Sequence, residues 1–496
     1  MSTKKLIDET NLFPTFNAEI RYIEKYGVDG KIIKRIIEKN KAKHDHQKEL
    51  YERYKVTQKG VPIFTREFED ENAINEKINN DYFGEIVTIK QGYFAGEPFS
   101  YTYSQDEANA DVCMQTMKDF CIRNSIADKD NEITKFAEIC GDVKRLMYID
   151  KEGNERIKVI MPYEAIVLSK SDITEPEYGI YYIDSEEIDE NFEITECKKI
   201  EFYDDTNIYF FKTDTDGEIV DDVDEKGRHI APHLFDYCPL QGIPNNKECM
   251  AGPEKVLATI DAIDRVISDC NSEVEAFKLA YMIITGAKID EDTLAEAKRT
   301  GAFNIPGGAG KEVKIEYLIK AINDTFIQNH LDKLDKNVYK FSQTPDMSNA
   351  AFSGVTSGIA MKFQLFPLET RCIAFERKLD SANKYMFKVL GSAWKKKAID
   401  FNYLETVVTY KRSFPIDLDY EAEVQNKLNG IVSEQTRLAL ASFVDDPEYE
   451  MTLMEQEKSN IEPLDFTGGD LDDVGGTGEE TTATDGTENQ GFGETA

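Results

Sequence analysis

Two long segments with apolar side chains at helical spacing flank a short mixed insert, and they constrain the fold more than any other feature. The first runs from Pro253 to Lys278 and the second from about 319 to 341. Side chains three and four positions apart share one face of a helix, so each segment predicts a long amphipathic helix. The apolar stripes comprise Val256, Ile260, Ile263, Ile267, Val274 and Phe277 in the first, and Ile322, Phe326, Leu331, Leu334, Val338 and Phe341 in the second.

The insert between these helices predicts a small α/β unit. A strand is expected at 281–285, a short helix at 291–299, and a hairpin through the glycine-rich turn at 306–310. The second helix is followed by a breaker at 342–354 that contains one charged residue, Asp346.

The rest of the chain mixes helices with a strand-rich region. Alternating apolar and polar residues over 178–183, 192–202 and 207–211 predict antiparallel strands, and strands dominate from about 144 to 235. Further helices are expected at 19–59, 74–94, 106–125, 356–396 (interrupted by Pro367) and 419–459, with a strand at 405–411. The sequence therefore predicts an α+β fold with long helices and an antiparallel β-rich part.

Charge is unevenly distributed along the chain. The 496 residues include 94 Asp and Glu against 59 Lys and Arg, a net charge of −35. Residues 171–225 carry −17 of it, and residues 463–496 carry −9. Such a balance argues against a uniformly basic surface that wraps nucleic acid. Because the 463–496 tail has few large apolar residues, it is expected to be disordered.

The N-terminal helical segment is locally basic. Residues 31–59 hold ten Lys and Arg and four Asp and Glu, with His44 and His46 expected to be exposed. This helix could contact DNA or an acidic partner surface, or it could simply present a solvated face.

Several motifs that suggest chemistry are incomplete. The turn at Gly307 to Lys311 lacks the first glycine and the hydroxyl residue of a phosphate loop, and Asp214-Thr215-Asp216-Gly217 lacks the final glutamate of a calcium loop. His229, His233 and Cys238 lack a fourth zinc ligand at sensible spacing. We therefore predict no metal, no cofactor and no catalytic residue. One enzymatic alternative stays open, a metal-dependent phosphoryl transfer at the acidic 204–224 cluster, using Asp204, Asp205, Asp221, Asp222 and Asp224.

The eight cysteines are scattered without a C-x-x-C pair, and they are expected to be reduced and mostly buried. The N-terminal residues lack the apolar core of a signal peptide, and no apolar run approaches the length of a membrane span. A soluble protein without a membrane partner is therefore expected.

Five short motifs follow one another along the chain. The first two are Asn79-Asn80-Asp81-Tyr82-Phe83 with Gly92-Tyr93-Phe94, and Leu257-x-x-Ile260-Asp261-x-x-Asp264-x-x-x-Ser268-Asp269. The others are Ser353-Gly354-x-x-Ser357-Gly358, Gly430-Ile431-Val432-Ser433 and Asp445-Asp446-Pro447. In this order they resemble the portal proteins of tailed bacteriophages, of the long-tailed siphophage type. The matches cover about 70 to 455, which is most of the chain.

This resemblance implies a ring, commonly of twelve subunits, at one vertex of the phage capsid, with an axial channel for double-stranded DNA. It implies partners as well: the terminase large subunit, head-completion or adaptor proteins, and the major capsid and scaffolding proteins, with assembly in the host cytoplasm. It divides the chain into a wing (1–252 and 356–412), a stem (253–280 and 319–341), a clip (281–318), a tunnel loop (342–354) and a crown (413–462), followed by the tail.

The same resemblance assigns residues to these parts. The tunnel loop, expected to meet DNA, comprises Ser342, Gln343, Thr344, Pro345, Asp346, Met347, Ser348, Asn349, Ala350, Ala351 and Phe352. Candidate docking residues of the clip are Asp290, Glu291, Lys298, Arg299, Lys311 and Lys314, and candidate stem residues are Asp261, Asp264, Lys333, Lys336 and Lys340. A head-assembly adaptor that does not thread DNA is the other alternative.

Overall fold

In the computed structural model, the described residues are 14–460 without 70–72, 104–108, 171–174, 189–191, 193, 278–281, 286–313, 318–323, 349–357, 414–417, 442–443 and 445–446. The predicted helix at 291–299, the turn at 306–310 and the acidic tail lie outside these residues. The chain divides into two units, 1–414 and 415–496.

The helices of the first unit are α1 (Asn17–Tyr26), α2 (Gly30–Tyr54), α3 (Tyr82–Ala95), α4 (Ala110–Arg123), α5 (Ile126–Cys140), α6 (Leu257–Phe277), α7 (Asp324–Ser342) and α8 (Gly358–Lys396). The second unit contributes α9 (Leu418–Leu428), α10 (Glu434–Ala439) and α11 (Pro447–Asn460). Its short helix α10 is capped by Ser433, whose hydroxyl accepts a hydrogen bond from the Thr436 N–H.

The strands are β1 (Ser100–Tyr103), β2 (Asp142–Ile149), β3 (Glu155–Ile160), β4 (Ala165–Leu168), β5 (Tyr178–Ile188), β6 (Ile194–Tyr203), β7 (Asn207–Thr213), β8 (Ile219–Asp221), β9 (Ile230–Pro232), β10 (Leu240–Pro244), β11 (Met282–Thr285), β12 (Lys314–Tyr317) and β13 (Thr406–Thr409). All pairings are antiparallel. The mixed helix and antiparallel-sheet composition confirms the α+β prediction.

The acidic 171–225 stretch forms most of a six-stranded sheet. Its order is β4-β5-β6-β7-β8, with β9 also paired to β7. Inward-facing residues such as Ile180, Ile200 and Phe211 pack against Ile33 and Ile36 of the basic helix α2. The predicted strands are thus confirmed, but the alternation is incomplete: Tyr181 and Tyr203 are buried on the opposite face of the sheet, and Ile183, Ile188 and Ile194 are exposed.

The long helix α8 provides a second core. The protein's single tryptophan, Trp394, packs edge-on against Phe120 and Phe401 near its C-terminal end. Toward its N-terminal end, Leu368 and Phe375 are fully buried with Phe94 of α3.

Two helix boundaries differ from the sequence prediction. The helix expected from Ile74 begins at Tyr82, and Asp81 caps it by accepting from the Gly84 N–H. The prediction that Pro367 interrupts the last long helix is also wrong, because α8 continues through it. A proline inside a helix removes one backbone bond at a cost of about 3 kcal/mol, which the extensive packing of α8 offsets.

Two further predictions are corrected or completed. Helix α5 was not anticipated, and His44 is buried rather than exposed, with its Nδ1 bonded to the Tyr182 hydroxyl. Burial lowers the pKa of His44 to about 3, so its imidazole is neutral. All eight cysteines are free thiols and five are buried, as predicted.

Candidate functional site

The two helices flanking the insert pack against each other. Val256, the residue just before α6, and Ile260 in its first turn cluster with Val338 near the end of α7, so the two helices run antiparallel. Ile86 of α3 completes this small core. The described strands β11, which follows α6 in the chain, and β12, which precedes α7, pair antiparallel, with Met282 opposite Tyr317.

An extended segment, residues 76–80, runs along one face of α6 and bonds to its side chains. The Glu76 N–H donates to Ser272 Oγ at 3.1 Å, and the Ile78 N–H donates to Ser268 Oγ at 2.9 Å. The backbone and side-chain amides of Asn80 donate to Asp264 Oδ1 at 2.8 and 2.9 Å.

The spacing of these bonds follows from elementary geometry. Four residues of a helix rise about 6 Å, and two residues of an extended chain span about 6.6 Å. Side chains at 264, 268 and 272 therefore match backbone N–H groups at 80, 78 and 76. This pairing explains why the segment before Tyr82 is not helical: its N–H donors are used by α6.

Two tyrosine hydroxyls link α7, and with it the helix pair, to α3. The Tyr82 hydroxyl donates to Asp335 at 2.8 Å, and the Tyr339 hydroxyl donates to Glu85 at 3.0 Å. Burial, followed by the hydrogen bond to a carboxylate, raises the pKa of both tyrosines well above the usual value. The two phenols stay protonated donors at any physiological pH.

The residues just after α7 are held in a fixed conformation. Gln343 has a φ of 56°, and the Thr344 N–H bonds to the Tyr339 carbonyl at 3.1 Å. A residue in the left-handed conformation just after a helix is a common C-cap, because the backbone N–H groups that follow can then bond to the last carbonyls of the helix. Arg371 of α8 donates to the Ser342 carbonyl at 2.7 Å and to Thr344 Oγ1 at 3.0 Å.

Arg371 belongs to a buried charge network. Its second amine pairs with Glu138, whose other oxygen accepts from Lys90 Nζ at 2.7 Å and from Asn245 at 3.1 Å. Burial alone would raise the pKa of Glu138, but Arg371 and Lys90 outweigh it and the net shift is downward. A β-carbon at Gly252 would collide with Glu138 and Arg371, so any other residue there would force this ion pair to move.

The sequence profile of the family described as "Phage portal protein, SPP1 Gp6-like" matches residues 33–464. The chain belongs to this phage portal protein family. The portal protein of Bacillus phage SPP1 is 23% identical over 429 residues, which cover 82% of this chain and 80% of that protein. Family membership confirms the resemblance stated above and implies a capsid-associated, oligomeric head-to-tail connector.

Two of the portal motifs contact each other directly. Asn80, from the first motif, bonds to Asp264 of the second, and Ser268 of the second bonds to Ile78 beside the first. Although almost 190 residues separate them, the two motifs form one structural joint between α6 and the chain entering α3.

The candidate stem residues occupy two environments. Asp264 is buried in the joint, and Asp261 pairs with Arg53 of α2. Lys333, Lys336 and Lys340 are exposed on α7.

The candidate tunnel-loop residues divide into an anchored and an exposed part. Ser342, Thr344 and Pro345 are buried, Asp346 is half-buried, and Gln343, Met347 and Ser348 are exposed. Asn349, Ala350, Ala351 and Phe352 lie outside the described residues. Among the candidate clip residues only Lys314, the first residue of β12, is described; Asp290, Glu291, Lys298, Arg299 and Lys311 are not.

The side chains of the incomplete metal-binding motifs make hydrogen bonds to nearby backbone groups. Asp204, Asp214 and Asp224 each accept backbone N–H groups two to four residues ahead, which is how an aspartate stabilises a tight turn. His233 bonds to the Asp204 carbonyl and the Phe235 N–H. Within the described residues no three His, Cys, Asp or Glu side chains are grouped to hold a metal.

The basic helix α2 forms many ion pairs inside its own subunit. The pairs are Lys34–Glu218, Arg35–Glu19, Lys39–Glu19, Lys41–Asp45, Lys43–Asp142 and Arg53–Asp261. Carboxylates of α1, β2 and α6 and of the turn before β8 therefore neutralise part of its positive charge, and among them Glu218 alone belongs to the acidic 171–225 stretch. In the described part of the chain, no helix has the length and apolar character that a bilayer span needs.

Proposed function

We propose that this protein forms a closed ring of twelve subunits at one capsid vertex, and that double-stranded DNA enters and leaves through its axial channel. The observation that carries the proposal is the family match over residues 33–464. The ring would assemble in the host cytoplasm with scaffolding and major capsid proteins, and later bind the terminase large subunit and head-completion proteins.

The portal parts are assigned to the chain as expected from the sequence. Helices α6 and α7 would form the stem (253–280 and 319–341), the β11–β12 unit the clip (281–318), and residues 342–354 the tunnel loop. The wing would comprise 1–252 and 356–412, and the crown 413–462. The antiparallel packing of α6 on α7, with a strand pair between them in the chain, supports the stem and clip assignment.

The charges of the candidate channel elements suit a duplex that must slide. Residues 342–354 hold no Lys or Arg, so this loop would touch DNA without gripping its phosphates. Lys333, Lys336 and Lys340 lie at i, i+3 and i+7 and share one face of α7, which we assign to the channel wall. Three exposed lysines would make weak, salt-sensitive phosphate contacts.

We propose no enzymatic role for the chain. The turn-stabilising bonds of Asp204, Asp214 and Asp224 account for these carboxylates without a bound metal. Alanine at Asp204, Asp205, Asp221 and Asp222 should leave DNA packaging unchanged. A magnesium-dependent activity of the wild-type protein that this variant loses would instead favour the enzymatic alternative.

Electron microscopy of the purified protein tests the ring directly. We expect rings with a central bore wider than about 20 Å, because a B-form DNA duplex of roughly that diameter must pass through it. Particles that stay monomeric at micromolar concentration and above would contradict the proposal. A ring with a much narrower bore would favour the adaptor alternative.

Removal of residues 347–352 tests the tunnel loop. The deletion starts after Thr344 and Pro345, because these are buried and Thr344 is held by Arg371. We expect intact rings and impaired packaging. Normal packaging by this variant would mean that the loop lies elsewhere.

Charge reversal at the clip tests terminase and adaptor docking. We expect that exchanging Lys298, Arg299, Lys311 and Lys314 for glutamate weakens terminase binding while rings still form. The matched control reverses Lys333, Lys336 and Lys340, which should leave terminase binding unchanged. Equal loss in both variants would contradict a docking role specific to the clip.

A further inference from the structure

The N-terminal half of α8 is apolar on two opposite faces. Its inner face holds Leu365, Leu368, Cys372, Phe375 and Leu379, all buried in the subunit. Its outer face nevertheless presents Phe363, which is 76% exposed, Phe366, which is 67% exposed, and Ile373, which is 38% exposed. A helix that is hydrophobic all round is normally covered all round.

The outer residues form one continuous stripe. At 3.6 residues per turn, positions 363, 366, 367, 370, 373 and 374 fall within about 120° of the helix circumference, and all six are exposed. The only hydroxyl among them, on Thr370, donates to the Phe366 carbonyl of the same helix at 3.0 Å. We call these six positions the α8 stripe.

Carboxylates are missing from this face of a very acidic chain. The two glutamates of the segment, Glu369 and Glu376, lie on the inner side and both pair with Arg412. Exposed Lys362 and Arg377 flank the stripe instead. An apolar strip with cationic ends complements a surface that is apolar and acidic, and a chain of net charge −35 supplies acidic surface in abundance.

We propose that the α8 stripe is an interface between subunits, covered in the assembly by a second copy of this chain. The inference rests on the proposed ring, and it goes further by assigning one of the two faces that meet. Because a ring joins unlike surfaces head to tail, the stripe would contact a different, acidic region of the neighbouring subunit. Exposed phenylalanines would have no favourable contact with a phosphate-lined duplex, so the channel lumen is the less suitable location.

The helix that carries the α8 stripe also holds Ser342 and Thr344, the residues from which the candidate tunnel loop starts and which we call the loop base. Arg371 projects from the same helix turns and fixes Ser342 and Thr344. Docking of a neighbour on the α8 stripe would therefore restrain the helix that holds the tunnel-loop base in the first subunit.

The test compares a double variant with a matched control. We expect F363S/F366S to lose the ring and to run as monomers or small open assemblies by native mass spectrometry, at a concentration where wild-type rings persist. The control I122S/L404S alters two side chains of similar exposure, 78% and 64%, elsewhere on the same unit and should keep the ring. Both variants should retain the wild-type far-UV circular dichroism spectrum.

The outcomes separate this inference from the proposed function. Rings of normal stability in F363S/F366S would overturn the inference and leave the ring proposal intact. Wild-type protein that never forms a ring would contradict the ring proposal, and the inference would fall with it. If the double variant does not fold, the photoreactive benzoylphenylalanine at position 366 gives the second measurement: cross-linked dimers of this chain support the interface, and their absence from assembled rings overturns it.

Discussion

The buried Glu138 is the residue on which most charged contacts of the loop base depend. It carries one negative charge between two cations, Lys90 and Arg371, and its side chain is fully buried. Nothing in the local sequence identifies Glu138 as such a centre. Lys90 gives a signal, since it lies four residues after Ile86 and four before Phe94 on one apolar helix face, but its partner lies 48 residues away.

We expect Glu138→Gln to lower the free energy of unfolding by roughly 3–5 kcal/mol, because it leaves two buried cations without a counter-charge. Urea denaturation monitored by Trp394 fluorescence measures this. The control Glu225→Gln removes a pair with Lys151 in which both side chains are exposed, and should leave the midpoint unchanged. A loss below about 1 kcal/mol for Glu138→Gln would indicate that water reaches the network.

Asp130 predicts a distinct dependence of stability on pH. It is buried, and one oxygen accepts from the Tyr101 hydroxyl at 2.7 Å while the other has no partner. Burial raises the pKa of Asp130 to about 7. A carboxyl whose pKa is raised by folding costs nothing below its unfolded pKa of about 4 and destabilises increasingly as pH rises toward 7.

The measurement is the difference in unfolding free energy between wild-type and Asp130→Asn at pH 4 and at pH 8. We expect wild type to lose on the order of 4 kcal/mol relative to the variant between these values, since one pKa unit corresponds to about 1.4 kcal/mol. Any constant offset from the new amide cancels in this comparison. A difference that does not change with pH would show that Asp130 titrates normally.

At the scale of elements, the periodicity of apolar residues predicted the buried stripe of α6 and the positions of strands, because both depend on the spacing of residues close in sequence. The stripe Val256, Ile260 and Ile263 is buried as expected, and the strands at 178–211 lie where the alternation indicated them. The helix predicted from Ile74 failed because its N–H partners, on α6, lie about 190 residues away. The buried position of His44 likewise depends on the sheet against which α2 packs, which helical spacing alone does not specify.

The hydrogen bonds between residues 76–80 and α6 should contribute measurably to stability. Asp264→Ala removes the acceptor of two hydrogen bonds from Asn80, and we expect a loss of about 2–4 kcal/mol in unfolding free energy. Asp264→Asn keeps one acceptor oxygen and should cost less than half as much. Hydrogen exchange at the amides of 76, 78 and 80 should accelerate in the alanine variant. Unchanged exchange there would mean that the segment is held by other contacts.

At the scale of the whole molecule, the negative charge is divided between parts with different roles. In the acidic sheet, Glu218 beside β8 pairs with Lys34 of α2, while Asp184 and Glu187 of β5 pair with Lys198 of β6 and Lys212 of β7. Portal motifs could be read from the sequence because they are short and ordered along the chain. The Arg371 anchor and the α8 stripe could not, because each is defined by which neighbours a helix has and which it lacks.

The C-terminal tail provides the last prediction. The family match ends at residue 464, and residues 463–496 carry nine acidic and no basic side chains with few large apolar ones. From this composition we predict a tail that does not pack against the ring, because few large apolar side chains are available to offset the entropy of ordering. We expect a chain ending at residue 464 to form rings of the same stoichiometry and thermal stability as wild type in native mass spectrometry and calorimetry. A chain ending at residue 414 is the contrasting variant: it also lacks α9 to α11, which lie entirely inside the family match, and its rings should be less stable. If the chain ending at residue 464 already fails to form rings, the tail takes part in assembly, and its negative charge must then contribute to the contacts between subunits.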